Sequence, residues 1–240
     1  MKIIYSAFVV IILAISITSC GIDDCIDGSL DSVERTLDIA DIQSLELDVS
    51  ATVLLTQGPV QEIVVRSSSI ILDKLVNDSR ISNGNWFINL EGCNTNVDLD
   101  IFITIPTIER IVIDGSGTVS STNGFQNLEN LSIEIDGSGE VDLNANVQNN
   151  TEIGINGSGK TSIAGRTNAC RIDIDGSANV KHRNFQAQSV TVFLNGSGDC
   201  EVAAAVSLNA IIDGSGTICY IGTPELVTEV SGSGTIGECP

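Results

Sequence analysis

The stretch "IVIDGSGTV" at residues 111–119 reads as a strand, a tight turn and the start of a second strand. The pattern returns as "IEIDGSGEV" at 133–141, and five more copies follow with small changes. Apolar residues alternate with polar ones on both sides of each turn, which is typical of strands with one buried face. The repeat therefore predicts an all-β chain built from many copies of one turn.

The spacing of the copies favours one of two all-β folds. Their first residues are separated by 22, 20, 19, 20, 18 and 18 residues, a period typical of repeat architectures. In an antiparallel meander, turns alternate between the two ends of the sheet, so one turn in each period should differ. Each period here carries a single signature, so we predict a β-solenoid with coils of about 18–22 residues, stacked about 4.8 Å apart. The turns begin at Asp114, Asp136, Asn156, Asp175, Asn195, Asp213 and Ser231.

The chemistry of the turn predicts a structural ladder, in which equivalent residues stack from coil to coil. Asp or Asn can cap the backbone two residues on, glycine allows positive φ, and the serine can hydrogen-bond along the stack. Calcium is the alternative, because the carboxylates of Asp114 and Asp136 would lie one coil apart. Asn156, Asn195 and Ser231 interrupt the charges, so we expect no metal and no other cofactor.

The charge of the chain limits its partners. There are 31 acidic and 11 basic residues, a formal net charge of −20. Such a chain repels nucleic acid and anionic membrane surfaces, and it disfavours strongly acidic polysaccharides. We therefore expect no nucleic-acid partner.

The first residues read as a lipoprotein signal peptide. Lys2 precedes an uncharged apolar run over residues 3–17, which is the length of a signal-peptide core. The "ITSC" at 17–20 resembles a bacterial lipobox, which implies a signal peptide over 1–19, cleavage before Cys20 and attachment of acyl chains such as palmitate to it. Ordinary secretion is the alternative. We expect an acidic tether over 20–34 and a protein anchored by lipid in the cell envelope, at the outer membrane.

Cysteines and the histidine give further expectations. Six of the seven cysteines remain besides Cys20, an even number that permits disulfides in an exported protein. Cys219 and Cys239 lie in neighbouring repeats, and the alternation places them on the same face of their strands. They could form a disulfide that fastens the last coil. His182 is the only histidine, which excludes histidine triads and three-histidine metal sites, and its inward parity predicts a packed core residue.

Paired carboxylates remain as the basis for an enzyme. The alternation along the strands places many acidic side chains on the outside of the coils. Two such carboxyl groups facing each other across a groove could hydrolyse a glycosidic bond. Aromatic residues make up only 4% of the chain, however, so platforms for sugar rings are scarce. We therefore predict no enzyme and no catalytic residue.

The N-terminal part carries motifs of a known family. It contains "SLELDVSATVLLTQG" at 44–58, which reads as a degenerate copy of the repeat, "NGNWFINL" at 83–90 and "ITIPTIERIVIDGSG" at 103–117. Together with the repeated [DN]GSG turns, these resemble the GIN-domain family, also called the autotransporter-adhesin head domain. The resemblance covers about residues 35–240 and implies a right-handed β-helix-like fold in lipoproteins and other exported proteins, without a known reaction.

These observations combine into one expectation about organisation and function. We expect a single solenoid domain over 35–240, irregular over 35–106 and regular over 107–240. It would act as a non-enzymatic, adhesin-like protein that binds a glycan or protein partner through the solenoid faces. The alternatives are a carbohydrate-active β-helix enzyme and a purely structural envelope component.

Overall fold

The computed structural model describes residues 25–240. The predicted signal peptide and the lipid attachment site at Cys20 lie outside the described residues. The described residues are 70% strand and 5% helix, arranged as a β-solenoid. Successive coils pair in parallel, whereas a meander of hairpins would pair antiparallel. The prediction of an all-β solenoid is therefore confirmed.

Nine strands and one helix precede the regular coils in the described part of the chain. They are β1 (Ile26–Asp27), β2 (Ser32–Leu37), β3 (Ser44–Asp48), β4 (Thr52–Gln57), β5 (Glu62–Ser68), α1 (Ser69–Asp78), β6 (Arg80–Ser82), β7 (Asn85–Asn89), β8 (Asn94–Thr95) and β9 (Asp100–Ile105). The regular coils follow as β10 (Arg110–Gly115), β11 (Thr118–Ser121), β12 (Phe125–Gly137), β13 (Glu140–Gly157), β14 (Lys160–Gly176), β15 (Asn179–Gly196), β16 (Asp199–Gly214), β17 (Thr217–Ile221), β18 (Glu225–Gly232) and β19 (Thr235–Glu238).

The first two coils stack in the reverse of their chain order. Strands β3 and β4 pair in parallel with β10 and β11 on one side and with β7 and β9 on the other. The chain thus enters the solenoid at its second coil, leaves through β5 and α1, and returns to form the outermost coil. The "DVSATV" segment stacks in register on the first regular turn, with Val53 opposite Val119.

The outermost N-terminal coil is covered by other elements. Strand β5 pairs antiparallel with β9 and with β2, which extends the sheet beyond the coils. Helix α1 buries Ile71, Leu72 and Leu75. A disulfide joins Cys25 to Cys93, and strand β1 pairs with β8 next to it. The described chain therefore begins at this end of the solenoid.

The core consists of inward side chains stacked from coil to coil. One column holds the residue just before the turn in successive coils; its buried members are at most 3% exposed, whereas Val230, before the last turn, is 43% exposed. Burying a side chain of this size contributes roughly 1.5–3 kcal/mol. The strict alternation seen in the sequence thus places one apolar column behind the turns. Its members from the second coil on are Leu47, Ile113, Ile135, Ile155, Ile174, Leu194 and Ile212.

Candidate functional site

The first residues of the seven turns form the predicted ladder on one edge of the solenoid. The strand registers place them opposite one another in successive coils. The Asn195 amide donates a hydrogen bond of 3.0 Å to the Asp175 carboxylate. At Asn195, which lies between Asp175 and Asp213, a hydrogen bond thus replaces a like-charge repulsion. We call this row the turn ladder; its members are Asp114, Asp136, Asn156, Asp175, Asn195, Asp213 and Ser231.

Backbone bonds rather than side-chain caps hold the turns together. From the second turn on, the amide of the turn serine donates to the carbonyl of the second turn residue in the previous coil, as from Ser158 to Gly137 at 2.8 Å and from Ser197 to Gly176 at 2.9 Å. The expected hydrogen bond from Asp or Asn to its own turn is not formed in these coils. The serine amide already has a carbonyl acceptor in the previous coil, so it needs no cap from the ladder side chain. The ladder side chains therefore point outward and stay exposed.

A groove of about 730 Å³ runs beside the turn ladder. The ladder residues from Asp114 to Asp213 form one wall. The other wall is the column of outward residues two positions earlier, and the groove spans seven coils, or about 29 Å at 4.8 Å per step. We call it the ladder groove. The second wall consists of Glu46, Val112, Glu134, Gly154, Asp173, Phe193 and Ile211.

The ladder groove is strongly acidic. Seven carboxylates line it, and two arginines lie among them. Arg110 pairs with Glu134 at 2.8 Å, and Arg171 pairs with Asp173 at 2.7 Å while its guanidinium lies 4.7 Å from the centre of the Phe193 ring. The charges therefore favour a cationic occupant. The seven carboxylates belong to Glu46, Asp114, Glu134, Asp136, Asp173, Asp175 and Asp213.

Gly154 leaves a gap in the middle of the ladder groove. It lies in strand β13 between Glu134 and Asp173 of the neighbouring coils. Its φ is not in the positive range, and a Cβ built there would meet only the Glu134 side chain, at 3.9 Å. Glycine weakens a strand interior and often marks a close approach by a ligand. The backbone does not require this glycine, so the open space is what it provides.

The single histidine and the free cysteines lie in the core. His182 is 1% exposed with both ring nitrogens unpaired, and burial lowers its pKa to about 3. Cys170 and Cys200 are free and buried, and burial raises the pKa of Cys170 to about 12 and raises that of Cys200 as well. Buried thiols of this kind are unreactive.

Two further findings concern metals and membranes. Within residues 25–240, no group of three or more His, Cys, Asp or Glu side chains is arranged to hold a metal ion. No helix in the same range is long and apolar enough to cross a membrane.

The sequence predicted the turn ladder but not the groove beside it. It expected any site to lie on the faces between the turns, but the turn ladder itself forms one side. A signal was present: the position two residues before the turn holds Glu134, Gly154 and Asp173 in successive copies. A glycine at a strand position that needs no glycine could have marked the centre of the site.

The disulfide of the last coil joins Cys219 in β17 to Cys239, just after β19. These strands pair in parallel, so the bond fastens the last coil to the one before it.

Comparisons with known proteins support the fold. The family model described as "Putative auto-transporter adhesin, head GIN domain" matches residues 41–224. A structure from Bacteroides fragilis described as a "putative adhesin" is 24% identical, with a TM-score of 0.83, and covers 89% of this chain and 100% of its own. A "putative lipid binding protein" from Parabacteroides distasonis is 22% identical, with a TM-score of 0.73, and covers 90% and 99%.

A third structure, a "putative adhesin" from Parabacteroides merdae, is 15% identical with a TM-score of 0.68, and covers 90% of this chain and 100% of its own. At these identities the likeness shows the fold alone. None of the curated proteins compared matches the chain.

Proposed function

Since the chain belongs to the GIN-domain family of adhesin head domains, we propose that it is a lipid-anchored envelope protein that binds a partner along the ladder groove without catalysing a reaction. The observation that carries this proposal is Gly154, a glycine that the backbone does not need, at the centre of the ladder groove. The family membership supports a role in adhesion at the cell envelope or surface. The proposal that the partner binds in the ladder groove rests on the geometry of that groove and not on the family.

The proposed partner is a protein that presents an extended basic segment. Seven carboxylates attract lysine or arginine side chains and raise the rate of encounter. Half-buried Phe193, whose ring already carries the Arg171 guanidinium on one face, adds apolar surface for a side chain of the partner. A groove of about 29 Å accommodates about eight extended residues at 3.3–3.6 Å each. A glycan remains the alternative occupant of this groove.

The alternative of a carbohydrate-active enzyme depends on Glu134 and Asp173. They lie two coils apart beside Phe193, about 9.6 Å by coil spacing, close to the upper end of the separation for an inverting glycosidase. Such an enzyme needs one carboxylic acid kept neutral in an apolar pocket. The two side chains are 53% and 45% exposed and each is paired with an arginine, so the geometry favours binding over catalysis.

A retention experiment tests binding and catalysis together. The full chain, exported with its own leader and purified in detergent, is immobilised and exposed to envelope and extracellular-matrix proteins and to polysaccharides. We expect at least one basic protein to be retained, with binding that weakens as salt rises, and no released oligosaccharide. Released products would support the enzyme instead. Neither retention nor products would favour a purely structural envelope component.

Replacing Cys20 by serine tests the proposed lipid anchor. The lipid is attached through the thiol, so the variant should lose acylation and move from the membrane fraction to the soluble exported fraction. Fractionation and intact mass measure both effects. Ser19→Ala serves as the control, because it keeps a small residue before the cysteine and should leave the protein in the membrane. If the Cys20 variant stays in the membrane with unchanged mass, the chain is not anchored in this way.

A further inference from the structure

A second groove lies seven to ten residues before the turns, next to the register shifts at Asn146/Asn150 and Ala187/Ser189. It has a volume of about 450 Å³, within the range typical of ligand sites. Seven asparagine or glutamine side chains from successive coils line it. We call it the amide groove.

The amides stand in two rows with a period of 20 residues. Asn146, Arg166 and Gln186 are opposite one another in the strand registers. Gln148, Asn168 and Gln188 form the second row, two positions further along each coil. The residues between the rows point into the core, so both rows face outward and line the same corner.

The absence of carboxylates distinguishes the amide groove from the rest of the surface. The chain carries a net charge of −20, yet no Asp or Glu lines this groove. Four other grooves within residues 25–240 each have at least one carboxylate in their lining. Arg166 is exposed and takes part in none of the ion pairs formed by the described residues.

Most of the amide groups are free to bind a ligand. Asn146 donates 2.6 Å to Gln126, but the side chains of Gln148, Asn168 and Gln188 form no hydrogen bond among the described residues, and all three are exposed. An amide offers two donors and an acceptor, and a hydroxyl offers one donor and two acceptor lone pairs. Rows of amides therefore complement a ligand that carries many neighbouring hydroxyl groups.

We propose that the amide groove binds an uncharged glycan chain along the solenoid axis, at a site separate from the ladder groove. The groove has no exposed apolar centre, because Val147 and Thr167 between the rows are only 4% and 5% exposed. The centre of a protein interface is commonly more apolar than its rim. Hydrogen bonds to hydroxyl groups require only the amides and the donors of Arg166.

The test compares two triple variants of the full exported chain on immobilised polysaccharides. The neutral set is mannan, laminarin, xylan and dextran, and the acidic set is polygalacturonate and alginate. The groove variant is Gln148→Ala, Asn168→Ala and Gln188→Ala. The control variant is Gln43→Ala, Asn149→Ala and Asn184→Ala, three exposed amides outside the groove. Circular dichroism verifies that both variants keep the fold.

We expect at least one neutral polysaccharide to bind and the groove variant to lose at least about tenfold in affinity, since each hydrogen bond is worth roughly two- to tenfold. The control variant should stay within about twofold. The proposal is overturned if no neutral polysaccharide binds, if only the acidic set binds, or if both variants bind alike. It is also overturned if the groove variant loses a protein partner instead. Variants of the ladder groove leave this binding unchanged, so the two sites fail independently.

Discussion

Replacing Gly157 by alanine will lower the free energy of unfolding by about 3 kcal/mol or more. Gly157 has a φ of +122°, and a Cβ built there would lie 2.5 Å from the carbonyl oxygen of Gly137 in the previous coil. A side chain in that region of φ costs roughly 1–3 kcal/mol. The clash is with backbone, so the stack must also shift, and that displacement adds to the loss.

Gly154→Ala is the matched control, in the same strand. Its φ is not positive and the added methyl group meets only the Glu134 side chain at 3.9 Å. Alanine there should leave stability unchanged or raise it by about 0.4–1 kcal/mol. Urea denaturation of both variants measures the difference. Equal stabilities would contradict the view that the stacked turns hold the solenoid together.

Replacing His182 by leucine will stabilise the protein by about 1–3 kcal/mol at pH 7. Both ring nitrogens are buried without a partner, and a buried unsatisfied polar group costs about that much. Leu143, Ile163 and Val202 hold the same inward position in neighbouring coils, so the site accepts an aliphatic side chain. Phe185 packs edge-on at 6.0 Å between ring centres and should contact the leucine.

The same residue makes the stability depend on pH. Burial lowers the pKa of His182 from 6.5 to about 3 in the folded protein, while the unfolded chain keeps the ordinary value. Between these values the unfolded state binds a proton that the folded state does not. Stability should therefore fall as pH falls below about 6.5, by at most about 1.4 kcal/mol per pH unit, or about 2 kcal/mol by pH 5.

Denaturation at pH 7, 6 and 5 measures this effect, in a range where most carboxyl groups with ordinary pKa values remain ionised. His182→Leu should remove the loss contributed by the histidine. His182→Gln should remove it too but gain no stability at pH 7, because a buried amide is again unsatisfied. If the wild type and His182→Leu respond alike to pH, His182 is solvated in the folded state.

The regular coils were predictable from the sequence because their information is local. Alternation and the turn place Ile133 and Ile135 inward and Glu134 outward within a few residues of one another. The stacking order at the N-terminus was not predictable in the same way. Residues 44–57 and 85–105 both read as strands, and only non-local pairing decides that the later segment forms the outer coil.

The candidate sites depend on how side chains from different coils are arranged in space, which the inward and outward alternation of the sequence does not show. The alternation shows that Gly154 and Phe193 face outward. The groove, however, arises because the turns project beside the column of outward residues to which both belong. The amide rows recur every 20 residues in the sequence, as in Gln148, Asn168 and Gln188. Their common corner becomes visible only when the strand registers are known. The side-chain caps expected at the turns do not form because the serine amides that they would accept from donate to carbonyls of the previous coil.

The most direct test of the proposed function measures where the retained basic protein binds. The groove variant carries Asp136→Asn, Asp175→Asn and Asp213→Asn, changes that the turns tolerate because Asn156 and Asn195 occupy the same position. The control variant carries Glu140→Gln, Asp142→Asn and Asp199→Asn, which removes the same charge from exposed positions after the turns. Binding affinity is measured for both and for the wild type at low and physiological salt.

We expect the groove variant to lose at least about tenfold in affinity and most of its salt dependence, while the control stays within about twofold of the wild type. Gly154→Leu, which fills the groove without changing charge, should lose binding as well and keep its stability. Equal binding by the groove and control variants, with full binding by Gly154→Leu, would show that the partner does not occupy the ladder groove.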